Sequence, residues 1–188
     1  MIIALTGFMG CGKSHVAACL AKRMGCFFFD LDDTIEMEEE ASVSDIFAQK
    51  GEKEFREQEY KYLERILSDY EDFPTDMVLS LGGGTVTNPD CAALLKAGAV
   101  TTVYLRESVD ELVRNLEITG ISHRPLLAGT SDLRTSVAAL LAQREATYEK
   151  TADIIIDADG LEFDAVAAKI IRTDGEPGEG RNQGPYAV

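Results

Sequence analysis

The chain has 188 residues, 45% of them hydrophobic, which suits one domain with a sizeable core and excludes a disordered or fibrous protein. A formal net charge of −15 argues against a nucleic-acid binder, which would carry a basic face, and no apolar run reaches the length of a membrane span. The start has no basic n-region, so no signal peptide is read there. Cys11, Cys19, Cys26 and Cys91 form no Cys-x-x-Cys pair, and with only two histidines a zinc cluster is not expected. Reduced thiols in a monomeric cytoplasmic protein are the simpler account. The excess acid reads as solubility, and arginines that hold an anion should stand out against it.

Residues 1–6 read as a buried strand. Gly7-Phe8-Met9-Gly10-Cys11-Gly12-Lys13-Ser14 follows and matches G-x-x-x-x-G-K-[ST]. Glycines let the backbone turn tightly and aim several N–H groups at phosphate oxygens, and the helix predicted over 13–24 adds its positive end. In this motif Lys13 reaches the β- and γ-phosphates of ATP and the Ser14 hydroxyl ligates Mg²⁺. The backbone run Gly10, Cys11, Gly12, Lys13, Ser14 and His15 is the predicted nucleotide cradle. The His15 side chain is read as an ordinary helix residue and Cys11 as filling a free motif position.

A second strand, 26–30, ends in acid at Phe29-Asp30-Leu31-Asp32. Two carboxylates this close repel unless a cation or a proton donor lies between them, so Asp30 and Asp32 suggest a magnesium shell and a substrate hydroxyl. The alternative is helix capping, by Asp32 or more simply by Asp33 with Glu36 as in a capping box. Helices are expected over 33–49 and 52–70, separated by Gly51. On the second of these Phe55, Tyr62, Leu63, Ile66 and Tyr70 form an apolar stripe. Glu59 falls on that stripe, where a carboxylate is costly unless paired, and Arg56 is three residues away. A plain surface pair is the alternative.

A short strand at 77–81 runs into Gly82-Gly83-Gly84, Asn88-Pro89 opens a helix and Gly98 ends it. A strand at 100–105 and a helix at 108–117 precede a loop at 118–130 that holds His123-Arg124-Pro125-Leu126-Leu127. Loops this long are often lids, and an arginine there suits charge stabilisation on a transferring phosphoryl group, unless it is simply exposed. On the helix at 131–149 Leu133, Val137, Leu140 and Leu141 mark the buried face, and Arg144 and Tyr148 continue it. An inward guanidinium meets an anion, lines a cleft or snorkels outward. A fifth strand at 153–156 and a helix at 161–172, with Asp159 as cap, complete the domain, 1–172. Residues 173–188, rich in glycine, proline and charge, read as a disordered tail. Strands alternating with helices imply an α/β fold, a mostly parallel sheet with helices on both faces.

The ordered set of motifs resembles shikimate kinase over nearly the whole chain except the tail. The matching pieces are the phosphate loop, Asp30-x-Asp32-x-x-Ile35-Glu36, Gly51-Glu52-x-x-Phe55-Arg56-x-x-Glu59, Gly82-Gly83-Gly84, Arg124-Pro125-Leu126-Leu127 and Arg144-x-x-x-Tyr148. The resemblance implies a three-layer P-loop kinase fold with a five-stranded parallel sheet in the order 2-3-1-4-5. It implies an acceptor region at about 32–70 and a mobile lid at about 112–128. It implies transfer of the γ-phosphoryl group of ATP to the 3-hydroxyl of shikimate, with Mg²⁺. In that reading Asp32 is the base and needs no strongly raised pKa, and Asp30 acts through the magnesium shell. Arg56 and Arg144 hold the substrate carboxylate, Glu59 supports Arg56, Gly82, Gly83 and Gly84 close the pocket, and Arg124 reaches the phosphates. Two departures stand out. Glu117, Ile118 and Thr119 lie where many members carry an arginine stacked on adenine, and a proline common after the fifth strand is missing from residues 157–161.

Overall fold

The computed structural model describes residues 1–72, 76–98 and 100–175. Five parallel strands, β1 (Ile2–Thr6), β2 (Phe27–Asp30), β3 (Met77–Ser80), β4 (Val100–Arg106) and β5 (Ile154–Asp157), form one sheet in the order β2-β3-β1-β4-β5. This is the order the family resemblance implied. The central strand β1 is a continuous apolar run of Ile2, Ile3, Ala4 and Leu5 with every residue buried, as a strand covered on both faces requires. Helices α1 (Lys13–Met24) and α7 (Phe163–Gly175) pack together on one face. Helices α4 (Pro89–Ala97) and α6 (Leu133–Thr151) contact β4, and α5 (Val109–Thr119) packs on α6. The edge strand β2 departs from the buried pattern: Phe27, Phe28 and Phe29 all stand substantially exposed.

The predicted helix at 33–49 is two helices. The first, α2 (Leu31–Glu39), stops at Glu40, whose backbone is left-handed, and α3 (Val43–Asp72) starts afresh. Ser42 caps α3: its Oγ accepts from Asp45 N at 3.1 Å and donates to Asp45 Oδ2 at 2.7 Å. Gly51 breaks the helical path as expected, but inside α3, with φ 83 and ψ 171. That kink sets the course of the segment carrying Phe55, Arg56 and Glu59.

The α2 cap is Asp30, not Asp32 or Asp33. Its Oδ1 accepts from Asp32 N at 3.0 Å, while Glu36 Oε1 accepts from Val43 N at 2.7 Å and makes no capping box. Asp159 does not cap α7 either; its Oδ1 accepts from Ser108 N at 2.7 Å, which ties the start of α5 to the loop after β5. Helix α7 runs to Gly175, so 173–175 are not tail, and 176–188 lie outside the described residues.

Candidate active site

The phosphate loop follows β1. Its backbone turns through Gly7, Gly10 and Gly12 with φ of 147°, 90° and 76°, values that residues with side chains rarely adopt. Gly12 is the N-cap of α1, so the first-turn N–H groups of Lys13, Ser14 and His15 face outward at the positive end of the helix. Lys13 is buried and folds over its own loop, with Nζ donating to Gly7 O at 2.9 Å and to Phe8 O at 3.0 Å. Ser14 Oγ donates to Asp30 Oδ2 at 2.6 Å. This bond joins the end of β2 to the phosphate loop. Asp30 thereby serves two elements, one oxygen on Ser14 and the other on the start of α2.

Asp32 sits one residue into α2, beside this bridge. Its Oδ1 is buried and has no hydrogen-bond partner among the described residues. Burial, reinforced by the nearby charges of Glu59 and Asp30, pushes its pKa up to about 7. The role read from the sequence asked for no strongly raised pKa at Asp32; its burial supplies one. The cause is that α2 begins immediately after Asp30, which turns Asp32 inward under the glycine run instead of outward along an extended strand.

The glycine run forms one wall of a pocket lined also by Met9, Asp32, Val43, Phe47, Phe55, Arg56, Glu59 and Arg144. Arg56 pairs with Glu59 and, at 3.0 Å, with Glu52. Glu59 is fully buried, and its Oε1 accepts from Thr85 Oγ1 at 2.6 Å. The Arg56–Glu59 contact is thus a pocket feature and not a surface pair. Both flanking glycines are crowded. A Cβ on Gly82 would lie 2.6 Å from Glu59 Oε1 and 2.8 Å from Asp32 Oδ1, and one on Gly84 would meet the Arg56 guanidinium, 2.6 Å from Cζ. Gly83 serves through its carbonyl, which accepts from Arg144 Nη1 at 3.1 Å and from the Tyr148 hydroxyl.

Arg144 lies on the buried face of α6 with Val137, Leu141 and Tyr148, and only 7% of it is exposed. Among the described residues it makes no ion pair. It is a buried cation at the pocket wall, not a snorkelling one. Arg124 enters from the segment after α5, held by Thr119 Oγ1 and His123 Nε2, each at 3.3 Å. Burial lowers its pKa from the usual arginine range, and its Nη1 comes close to Gly10 of the phosphate loop. Arg124 lines both this pocket and a larger cavity that runs over Lys13, Ser14 and Asp30.

All the site residues expected from the sequence therefore converge on two adjoining cavities, apart from Cys11, which is buried in the loop. Sequence reading missed the apolar wall of Met9, Val43 and Phe47, and also Thr85. Thr85 carries a signal in hindsight, as a hydroxyl next to the glycine run and opposite a buried carboxylate. The apolar wall carries none, because Met9 fills a free position of the phosphate-loop motif, and Val43 and Phe47 do not differ in sequence from helix residues that pack in the core.

A phosphate loop opening a helix at the carboxyl ends of a 2-3-1-4-5 sheet, sharing a wall with a separate polar pocket, defines a P-loop kinase of small molecules. Comparison with known proteins narrows the class. The family model for shikimate kinase matches residues 9–174. The shikimate kinase of Chlorobaculum parvum is 38% identical over 178 residues, covering 91% of this chain and 90% of that protein. That of Legionella pneumophila strain Corby is 36% identical over 170 residues, covering 90% and 92%. Among solved structures, shikimate kinase from Acinetobacter baumannii in complex with shikimate aligns with a TM-score of 0.84 at 29% identity, over 92% of each chain. The chain belongs to the shikimate kinase family.

Proposed function

We propose that this chain transfers the γ-phosphoryl group of ATP to the 3-hydroxyl of shikimate, giving shikimate 3-phosphate and ADP, and that the residues above divide the work as follows. The observation that carries the reading is the acceptor pocket itself. In a chain with a large excess of acid, two arginines, Arg56 and the buried Arg144, line one pocket with Asp32, whose Oδ1 has no hydrogen-bond partner among the described residues. That arrangement suits a small acceptor carrying one carboxylate and one reacting hydroxyl.

Phosphoryl transfer asks mainly for positioning and charge neutralisation. The loop N–H groups and Lys13 hold the nucleotide phosphates. Ser14 Oγ supplies a hard oxygen donor, and the Asp30 carboxylate bonded to it would accept from a shell water, which fits a Mg²⁺ that keeps waters and phosphate oxygens in the rest of its shell. When bound there, the ion would neutralise charge on the β- and γ-phosphates. Arg56 and Arg144 clamp the acceptor carboxylate, Glu59 fixes Arg56, and Asp32 accepts the proton of the attacking hydroxyl. Residues 112–128 act as the lid that brings Arg124 to the γ-phosphate. With four free cysteines we place the protein in the cytoplasm, and we take it to act as a monomer.

The acceptor clamp is tested by a double cycle. Arg144→Lys keeps the charge but loses the planar fork, and is expected to weaken shikimate binding by about 1.5–3 kcal/mol. Shikimate methyl ester should bind the unmodified enzyme comparably poorly. It should gain little further penalty in Arg144→Lys, because its partner is already impaired. Additive penalties would show that Arg144 does not read the carboxylate.

The glycine wall gives a second expectation. Gly84→Ala forces the Arg56 guanidinium out of its position. The KM for shikimate should rise by about tenfold or more, and thermal denaturation should show a loss of roughly 1–3 kcal/mol from overpacking. The KM for ATP should stay within about twofold.

A further inference from the structure

Thr85 is fully buried, and the mechanism proposed for the pocket gives it no role. It opens a single 3₁₀ turn, Thr85–Thr87, directly after the glycine run. Its backbone N donates to Gly82 O at 3.2 Å, which ties the turn to the pocket wall. Its hydroxyl reaches across to α3 and donates to Glu59 Oε1 at 2.6 Å. Among the described residues this is the only hydrogen bond that Oε1 receives, while Oε2 accepts from Arg56. A hydroxyl has one proton to give, and here it goes to the buried acid that holds the acceptor clamp.

A fully buried carboxylate needs donors on both oxygens. The Glu59 carboxylate cannot turn about its terminal bond without giving up the Thr85 hydroxyl. Threonine is β-branched, so the hydroxyl has little rotamer freedom of its own. Arg56 has a second ion pair, with Glu52, but that side chain is 49% exposed, and an exposed pair holds weakly. The direction of the guanidinium therefore rests on Glu59, and that of Glu59 on Thr85. The surroundings make the hold necessary. The position a Cβ would take on Gly82 lies 2.6 Å from Glu59 Oε1, 2.8 Å from Asp32 Oδ1 and 2.9 Å from Thr85 Oγ1. Two acids and one hydroxyl, from three segments, meet over one glycine. Without the hydroxyl, Oε1 is a buried acceptor facing a second carboxylate, and their repulsion turns Glu59 out of its grip on Arg56.

On the reading of this pocket as the acceptor site, we propose that Thr85 is a positioning residue for the acceptor carboxylate: acting through Glu59, its hydroxyl fixes the Arg56 fork in the orientation that receives a planar anion. The role is one of specificity. A fork held in one plane rewards a carboxylate with two parallel bonds, and an ester cannot return them.

Two readouts test this on three variants. Thr85→Val is isosteric and has no donor, Thr85→Ser keeps the hydroxyl, and Thr85→Cys offers a weak donor of similar size. The first readout is the set of Arg56 guanidinium ¹⁵N–¹H resonances in the ligand-free, arginine-labelled protein. Restricted rotation should give separate Nη signals in the unmodified protein and in Thr85→Ser, and one averaged signal in Thr85→Val. This measurement uses no acceptor, so it decides the proposal even if the acceptor assignment fails. The second readout is steady-state kinetics with shikimate and its methyl ester. Thr85→Val should raise the KM for shikimate by about tenfold, with kcat within about threefold and the KM for ATP within about twofold. The preference for the acid over the ester should shrink by a similar factor. Thr85→Ser should match the parent and Thr85→Cys should fall between, so the series is readable even if the valine protein does not fold. A merely structural threonine would cost thermal stability and leave both the Arg56 signals and the acid-over-ester preference where they were; either result would overturn the proposal. No acid-over-ester preference in the unmodified enzyme would instead count against the acceptor assignment, and the Arg56 signals would then decide the role of Thr85 alone.

Discussion

Asp32→Asn is expected to keep the fold, to bind ADP and shikimate nearly as the unmodified enzyme does, and to lose kcat by about 10²–10⁴-fold. The geometry leads there directly. Asp32 Oδ1 is buried, has no hydrogen-bond partner among the described residues, and feels the nearby charges of the buried Glu59 and of Asp30, which bonds Ser14. An oxygen in that position is either a structural loss or an acceptor awaiting a donor hydroxyl. The amide is isosteric but cannot take the proton. Removing the charge also relieves repulsion from Glu59 and Asp30, so Asp32→Asn should be no less stable than the parent. That combination, lower kcat with equal or higher thermal stability, separates a catalytic base from a structural one. The same residue sets a pH dependence. Its pKa is raised to about 7, so the working, ionised form is lost as pH falls through that value. The kcat/KM for shikimate should therefore fall tenfold per pH unit on the acid side, with an apparent pKa near 7, and the Asp32→Asn residual activity should lack that limb. Near-normal turnover in Asp32→Asn would leave it with no role beyond its place in the first turn of α2.

Arg124→Ala carries the second large effect, a fall in kcat of about 10²–10³-fold with shikimate and ADP affinities within a few-fold. Arg124 is partly buried and makes no ion pair among the described residues, and its bonds go only to Thr119 and His123. A desolvated cation poised beside Gly10 is worth most when negative charge arrives opposite it. That charge is greatest on the transferring group, so the loss should appear in kcat and not in KM. Arg124→Lys should recover part of the rate, because it restores a charge without the planar fork. Stopped-flow single-turnover measurements would place the defect on the chemical step. A wild-type kcat in Arg124→Ala would remove the lid segment from the mechanism.

Much of this was legible in the chain because its local signals and its site coincide. The phosphate loop is both a turn and a ligand cradle, and the apolar run of β1 can only be a central strand. Arg144 was readable because an arginine in phase with Val137, Leu141 and Tyr148 breaks a helical pattern for a reason. The errors also have physical causes. The break between α2 and α3 was hidden in the run from Glu36 to Glu40, where every residue favours helix and no glycine marks the end, so that Glu40 itself takes the left-handed cap. Ser42 with Asp45 carried the missed start signal. Asp30 was assigned to chemistry alone when it also caps α2, because a strand-end acid and a helix-start acid are the same residue when no loop separates the two elements. The inward turn of Asp32, and with it the raised pKa, depends on that missing loop. The exposure of Phe27, Phe28 and Phe29 depends on β2 being at the sheet edge, which composition does not encode.

The central claim is that the pocket walled by Arg56, Arg144 and Gly82–Gly84 accepts shikimate as the phosphoryl acceptor. The most direct measurement is the rate of ADP release from MgATP with shikimate, with gluconate, with shikimate methyl ester and with no acceptor, each in the presence and absence of divalent cation. Shikimate should raise the rate far above the no-acceptor level and only with the cation. Gluconate should leave it at background, and the ester should fall far below shikimate at equal concentration. Equal ADP release with and without shikimate would contradict the account.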